Sequence, residues 1–122
     1  MSSLNKTLSI KVNVVRRVTK ELQMYRKEAD VEIDKVQKMR DDDVDPYDIK
    51  YASNVLNECL AMVPDTEQRL ESAIRDLQSF LDENADELEL IDGSKEEIEK
   101  ARVALTDGEA EMNKTCNVTR SN

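Results

Sequence analysis

Asp45–Leu81 reads DPYDIKYASNVLNECLAMVPDTEQRLESAIRDLQSFL, and its spacing decides the fold. The first six residues form a helix start. Asp45 is placed to accept from exposed N–H groups, Pro46 suits the first helical position, and Asp48 complements the positive pole of the dipole. Apolar or small residues then recur in alternating steps of three and four: Ile49, Ala52, Leu56, Cys59, Val63, Thr66, Leu70, Ala73, Leu77 and Phe80. That 3.5-residue period is the seam of a helix packed lengthwise against other helices. Pro64 interrupts the run, deleting a backbone bond and crowding the preceding turn at a cost of ~3 kcal/mol. The seam keeps its register across the proline, so one kinked helix is expected. Leu60, Ile74 and Leu81 widen the stripe on one flank, Val55 and Met62 on the other. A stripe that wide serves two neighbours.

The rest of the chain supplies those neighbours. It has 122 residues, enough for one domain; 37% are charged, 3% aromatic, and only two are glycine and two proline. Such a chain lacks the turns and rings for a strand-rich core and fits long helices. A first helix is expected over about residues 13–40, with seam Val15, Val18, Leu22, Tyr25, Ala29, Glu32, Val36 and Met39, and Asn13 as a candidate cap. Ile33, beside Glu32, can supply the apolar contact that Glu32 lacks. The lead over residues 1–12 alternates with period two at Leu8-Ser9-Ile10-Lys11-Val12; with no sheet to join, it is expected to be extended or frayed. The acidic turn Asp41-Asp42-Asp43-Val44-Asp45 makes the first two helices antiparallel. The second helix is expected over about 46–88. Ser94-Lys95-Glu96-Glu97 reads as a capping box opening a third helix over about 95–112, through Ile98, Ala101, Leu105, Gly108 and Met112. Residues 113–122 are expected to be disordered. The fold class is an all-α, elongated antiparallel three-helix bundle of coiled-coil type.

Charge divides the chain. Residues 1–40 carry ten Lys or Arg against five Asp or Glu, and the remainder eight against twenty-two, which together give the formal net charge of −9. The basic charges of the first helix are interleaved with Glu21, Glu28, Asp30, Glu32 and Asp34, and no aromatic platform accompanies them. Nucleic acid is therefore not the expected partner. No apolar run approaches the ~18 residues that span a bilayer, and no secretory h-region follows Met1, so a cytoplasmic protein without a membrane anchor is expected. Cys59 falls on the seam as a small buried residue, and Cys116 lies in the polar tail.

Catalytic chemistry finds no footing here. The sequence contains no histidine, no phosphate-cradling glycine loop, and no nucleophile beside an activating base. Asp41, Asp43 and Asp45 match the opening ligand positions of a calcium loop, but Pro46 stands where the turn glycine is needed and Ala52 where the closing glutamate would be. No enzyme activity, metal or cofactor is expected.

One combination of residues is more specific. Lys20-Glu21 with Tyr25 and Glu28, Asp45-Pro46-Tyr47-Asp48-Ile49-Lys50, Met62-Val63-Pro64-Asp65 and Arg69-Leu70-Glu71-Ser72-Ala73 resemble the tubulin-binding cofactor A family over roughly residues 8 to 82. Lys100-Ala101-Arg102 to Leu105 follow it more loosely. The acidic linker near Asp86–Ser94 and the tail after Met112 depart from the family pattern. The resemblance implies a cytosolic, cytoskeleton-associated chaperone without nucleotide or metal. Such a chaperone captures β-tubulin folding intermediates through its helical faces and holds them for later tubulin-folding cofactors, as a monomer or homodimer. The alternative is a helical interaction module of the syntaxin N-terminal or scaffold type.

The register of the first helix places Met24 and Val31 on its outer face, ringed by Arg16, Arg17, Lys27 and Lys38. Apolar residues rimmed by cations suit an acidic partner, and these are the expected partner-binding residues. Asp45, Pro46, Asp48, Pro64 and Ser94 are the expected structural determinants. Tyr47 and Tyr51 are outward by register, with Tyr47 expected to pack against its first turn.

Overall fold

The computed structural model describes residues 3–91 and 93–114, and these form three helices: α1 (Ser3–Asp41), α2 (Pro46–Glu89) and α3 (Ser94–Asn113). Ion pairs report their directions. Lys11 bonds Asp76, Glu21 bonds Arg69, and Arg26 bonds Glu67, so α2 descends as α1 rises. Gly108 lies against Val15 and Thr19, and Glu111 meets Arg26, so α3 rises alongside α1. The bundle runs up, down, up.

α1 begins ten residues earlier than its sequence pattern implied. The period-two alternation at Leu8–Val12 contains an i,i+4 pair, Leu8 and Val12, that continues the helical seam back from Val15. All three are buried, which outweighs the strand-like reading, and Ile10 is left in solvent. The lead is therefore helical from Ser3, and Asn13 is an exposed mid-helix residue rather than a cap. Thr7 Oγ1 donates back to Ser3 O at 2.9 Å within the first turns.

The core is a ladder of aliphatic residues: Leu8, Val12, Val15, Val18, Leu22 and Ala29 from α1, Val63, Leu70, Ile74, Leu77 and Leu88 from α2, Ala101 and Ala104 from α3. Each fully buried Leu or Val contributes roughly 1.5–3 kcal/mol. Against α1, α3 presents Ala101, Ala104 and Gly108, small residues that permit close approach. A Cβ on Gly108 would meet Ile74 Cδ1 at 3.2 Å and Thr19 Oγ1 and Val15 Cγ1 at 3.4 Å, so its absence is used. The helix continues through Gly108 to Asn113, one residue into the stretch expected to be tail; Lys114 follows in extended backbone, and residues 115–122 lie outside the described residues.

α2 is one helix across Pro64, with Val63 and Thr66 buried on either side. Pro64 has no N–H, so the Leu60 carbonyl receives no bond from the following turn. Thr66 Oγ1 donates to Met62 O at 2.7 Å just beyond that gap. At the N-terminus, Asp45 Oδ1 accepts from Tyr47 N at 2.9 Å, Pro46 occupies the first turn and Asp48 lies within it. Asp43 takes φ 58° in the connecting turn, a conformation Asp tolerates better than most residues.

The third helix opens differently from its sequence signal. Gly93 is the residue before it, at φ 84°, and no side chain caps α3. Ser94 is buried with its hydroxyl aimed backward, donating to Ile91 O at 2.8 Å and to Leu88 O. The Ser-x-x-Glu pattern thus does not close as a capping box. Ser94 satisfies carbonyls where α2 ends, and burial of the turn against the bundle favours that arrangement.

Candidate functional site

By the rise of an α-helix, α1 is close to 60 Å long and α3 about 30 Å. α3 therefore covers α1 only as far as Arg26, where the bundle is closed by charge. Arg26 is 8% exposed, and its guanidinium donates to Glu111 Oε2 at 2.6 Å, to the Glu111 carbonyl, and to Glu67 Oε2 at 2.7 Å. One side chain ties all three helices and places a cation at the negative pole of α3. Burial alone would lower the Arg26 pKa, but its bonds to Glu111 and Glu67 prevail and raise it. Burial would likewise raise that of Glu111, yet bonds from Lys114, Arg26 and Gln23 hold the carboxyl below its ordinary value. Arg26 follows Thr19 in the column Val12, Thr19, Arg26, Ile33, the heptad line that turns toward α3. An arginine in such a column is the one sequence signal for this network.

Away from the core, α1 presents a different surface. Met24 and Val31 are 46% and 57% exposed, and Arg17, Lys27 and Lys38 lie in solvent along the same line. Arg16 is turned aside from them. It lines a shallow cleft between α1 and α3 with Lys20, Gln23, Asp107 and Lys114. Ile10, 62% exposed, continues the line toward the start of the helix. Its place in a stretch read as extended concealed it.

The cations of this face are uncompensated. Among the described residues, only Lys11 and Arg26 of the Lys and Arg residues of α1 form ion pairs. Beyond α1 the balance reverses: Arg69, Arg75, Lys100, Arg102 and Lys114 are paired, and among the described residues there Lys50 and Lys95 form no ion pair. Most of the unpaired positive charge of the described residues thus lies on α1, beside exposed apolar side chains.

The far end of the hairpin carries Tyr47 and Tyr51, 81% and 72% exposed. Tyr47 does not pack on its first turn: its neighbours there, Asp45 and Asp48, are also in solvent. Cys59 is partly buried, and burial, together with Glu32, Glu28 and Glu58, pushes its thiol pKa up, away from reactivity. No three His, Cys, Asp or Glu side chains converge among the described residues, and no helix there is long and apolar enough to cross a membrane.

A family model described as tubulin binding cofactor A matches residues 3–105. The chain belongs to the tubulin-binding cofactor A family. A human tubulin-specific chaperone A is 44% identical over 98 residues, 80% of this chain and 86% of that protein. An Arabidopsis thaliana tubulin-folding cofactor A is 42% identical over 107 residues, 88% of this chain and 92% of its own length. Solved structures agree with the fold. The crystal structure of the Arabidopsis cofactor superposes with a TM-score of 0.76 at 41% identity, covering 88% of this chain and 97% of the other. A recombinant tubulin-binding cofactor A from Leishmania major gives 0.77 at 25% identity, covering 93% and 100%. The three-helix architecture is therefore the cofactor A fold, and the syntaxin-like alternative has no support among these relatives.

Proposed function

We propose that this chain is a tubulin-folding cofactor that captures and stabilises β-tubulin folding intermediates before they pass to later cofactors. Membership of the tubulin-binding cofactor A family supports the pathway, and the unpaired cations beside exposed Met24 and Val31 supply a contact surface. Folding intermediates expose apolar surface, and tubulin is acidic. A helical face with apolar anchors and unsatisfied positive charge suits that combination through contact and steering together. Arg17, Met24, Lys27, Val31 and Lys38 form the main contact line, and Arg16 contributes from the α1–α3 margin. The protein acts in the cytosol beside the cytoskeleton, as a monomer or homodimer. It works by holding rather than by catalysis, with no nucleotide, metal, nucleic acid or membrane.

The test is capture of α- and β-tubulin offered separately. Selective retention of β-tubulin is expected. Equal retention of both, or of neither, removes the β-tubulin assignment. Met24→Asp combined with Val31→Asp should abolish capture while helix content is unchanged; undiminished capture would move the site off α1.

A further inference from the structure

α1 carries a second seam, on the face turned away from the core. Ile10, Arg17, Met24, Val31 and Lys38 recur every seven residues, and Asn13, Lys20, Lys27 and Asp34 follow the first four of them by three. The outer face therefore repeats the three-four step of the buried one. Isolated surface hydrophobes are ordinary. Here Ile10, Met24 and Val31 share one line about 32 Å long by helical rise. Arg17 sits between the first two, Lys27 runs alongside, and Lys20 reaches in from the margin of the α1–α3 cleft; none of them is paired with an acid among the described residues. Their aliphatic stems extend the apolar line while their charged ends stay in solvent.

We propose that this seam seats an acidic amphipathic helix of the partner, laid along α1 as a fourth helix of the bundle. This rests on the tubulin-chaperone reading and names the element that α1 grips. The seven-residue interval puts successive anchors about 10.5 Å apart, the interval at which a second helix repeats its own side chains. Along this face Arg17, Lys20, Lys27, Lys35 and Lys38 outnumber Glu28 and Asp34, which leaves the line net positive and selects acidic flanks on the incoming helix. An anionic bilayer is the less suitable occupant. The apolar line is one residue wide, and the rest of the molecule is acidic enough to be repelled by such a surface.

Two measurements on the full chain test this. In the first, β-tubulin is captured by Ile10→Asp and by Lys20→Glu combined with Lys27→Glu. Each should lower affinity at least tenfold with helix content unchanged; wild-type affinity in both overturns the seam. In the second, the chain carrying labelled methionine methyls is titrated with a synthetic 28-residue helix bearing Leu at three-four spacing between Glu flanks. A scrambled peptide of equal composition and vesicles rich in phosphatidylserine serve as comparisons. The Met24 methyl should shift with the patterned peptide at concentrations at least tenfold below those the scrambled one needs. Equal response to both peptides, or response to vesicles alone, overturns the proposal. If the wild-type chain captures no β-tubulin, the chaperone reading fails, and the peptide titration still decides the seam. If an acidic substitution unfolds the chain, the same titration decides it without a variant.

Discussion

Arg26 shows how one side chain can hold an end of a bundle together. Its guanidinium is nearly enclosed, and its two carboxylate partners come from different helices. Removing one partner of such a group strands the other without water. Arg26→Ala should therefore lower unfolding free energy by about 3 kcal/mol in urea. Arg26→Met combined with Glu111→Gln should cost less than the sum of the separate changes. The carboxyl of Glu111 gives this network a pH signature. Its folded-state pKa lies below the ordinary 4.5, so the charged form stabilises the fold above that value. The contribution is lost as pH falls through the folded-state pKa. The stability gap between wild type and Glu111→Gln should be widest near neutrality and close progressively below pH ~4.5. Ser94 belongs to the same scale: Ser94→Ala leaves the Leu88 and Ile91 carbonyls with only their longer bonds, from Ile91 N at 3.2 Å and Ser94 N at 3.3 Å, and should cost about 1 kcal/mol in the same urea series.

Among the elements, α2 was the most legible. Its seam ran through Pro64 without changing register, and the helix does the same. Pro64→Ala restores a donor to the Leu60 carbonyl and should raise the unfolding free energy by about 1–2 kcal/mol, read as a higher thermal midpoint. The start of α1 was misread because five residues of alternation are also compatible with an i,i+4 pair. Only the bundle, by burying Leu8 and Val12 together, selects between the two. The Ser94 motif was misread because capping geometry depends on where the turn is buried, a tertiary fact. Arg26 was missed because its place in a seam-side column signals a buried charge without saying which carboxylates, from two other helices, converge on it. The proposed contact face was partly legible. Register alone put Met24 and Val31 outside, but Arg16's turn toward α3 required the position of the third helix. Gly108 makes that position testable. Gly108→Val drives side-chain atoms into Ile74, Thr19 and Val15 and should detach α3, seen as loss of helix content and a broader unfolding transition.

For the whole molecule, the separation of charge governs how it meets a partner. A basic first helix on an otherwise acidic chain makes a strong dipole, which orients an approaching acidic surface before contact. Association with tubulin should slow by about tenfold between low salt and 0.5 M salt, with a smaller change in the dissociation rate, in a stopped-flow or surface-capture measurement. A partner held mainly by apolar anchors would show the reverse.

α3 stops at the level of Arg26, and beyond it α1 and α2 continue as a pair. In that outer stretch only Ala29, Val36, Ala52 and Val63 are buried hydrophobics, where the three-helix part holds leucines in successive layers. The protein thus has a graded resistance to opening along its length. Amides of residues 30–60 should exchange with deuterium at a lower free energy than those around Leu22, Leu70 and Leu77, as a separate cooperative unit. A chaperone built this way has a firm grip at one end and a compliant fork at the other, able to part without the rest of the molecule unfolding.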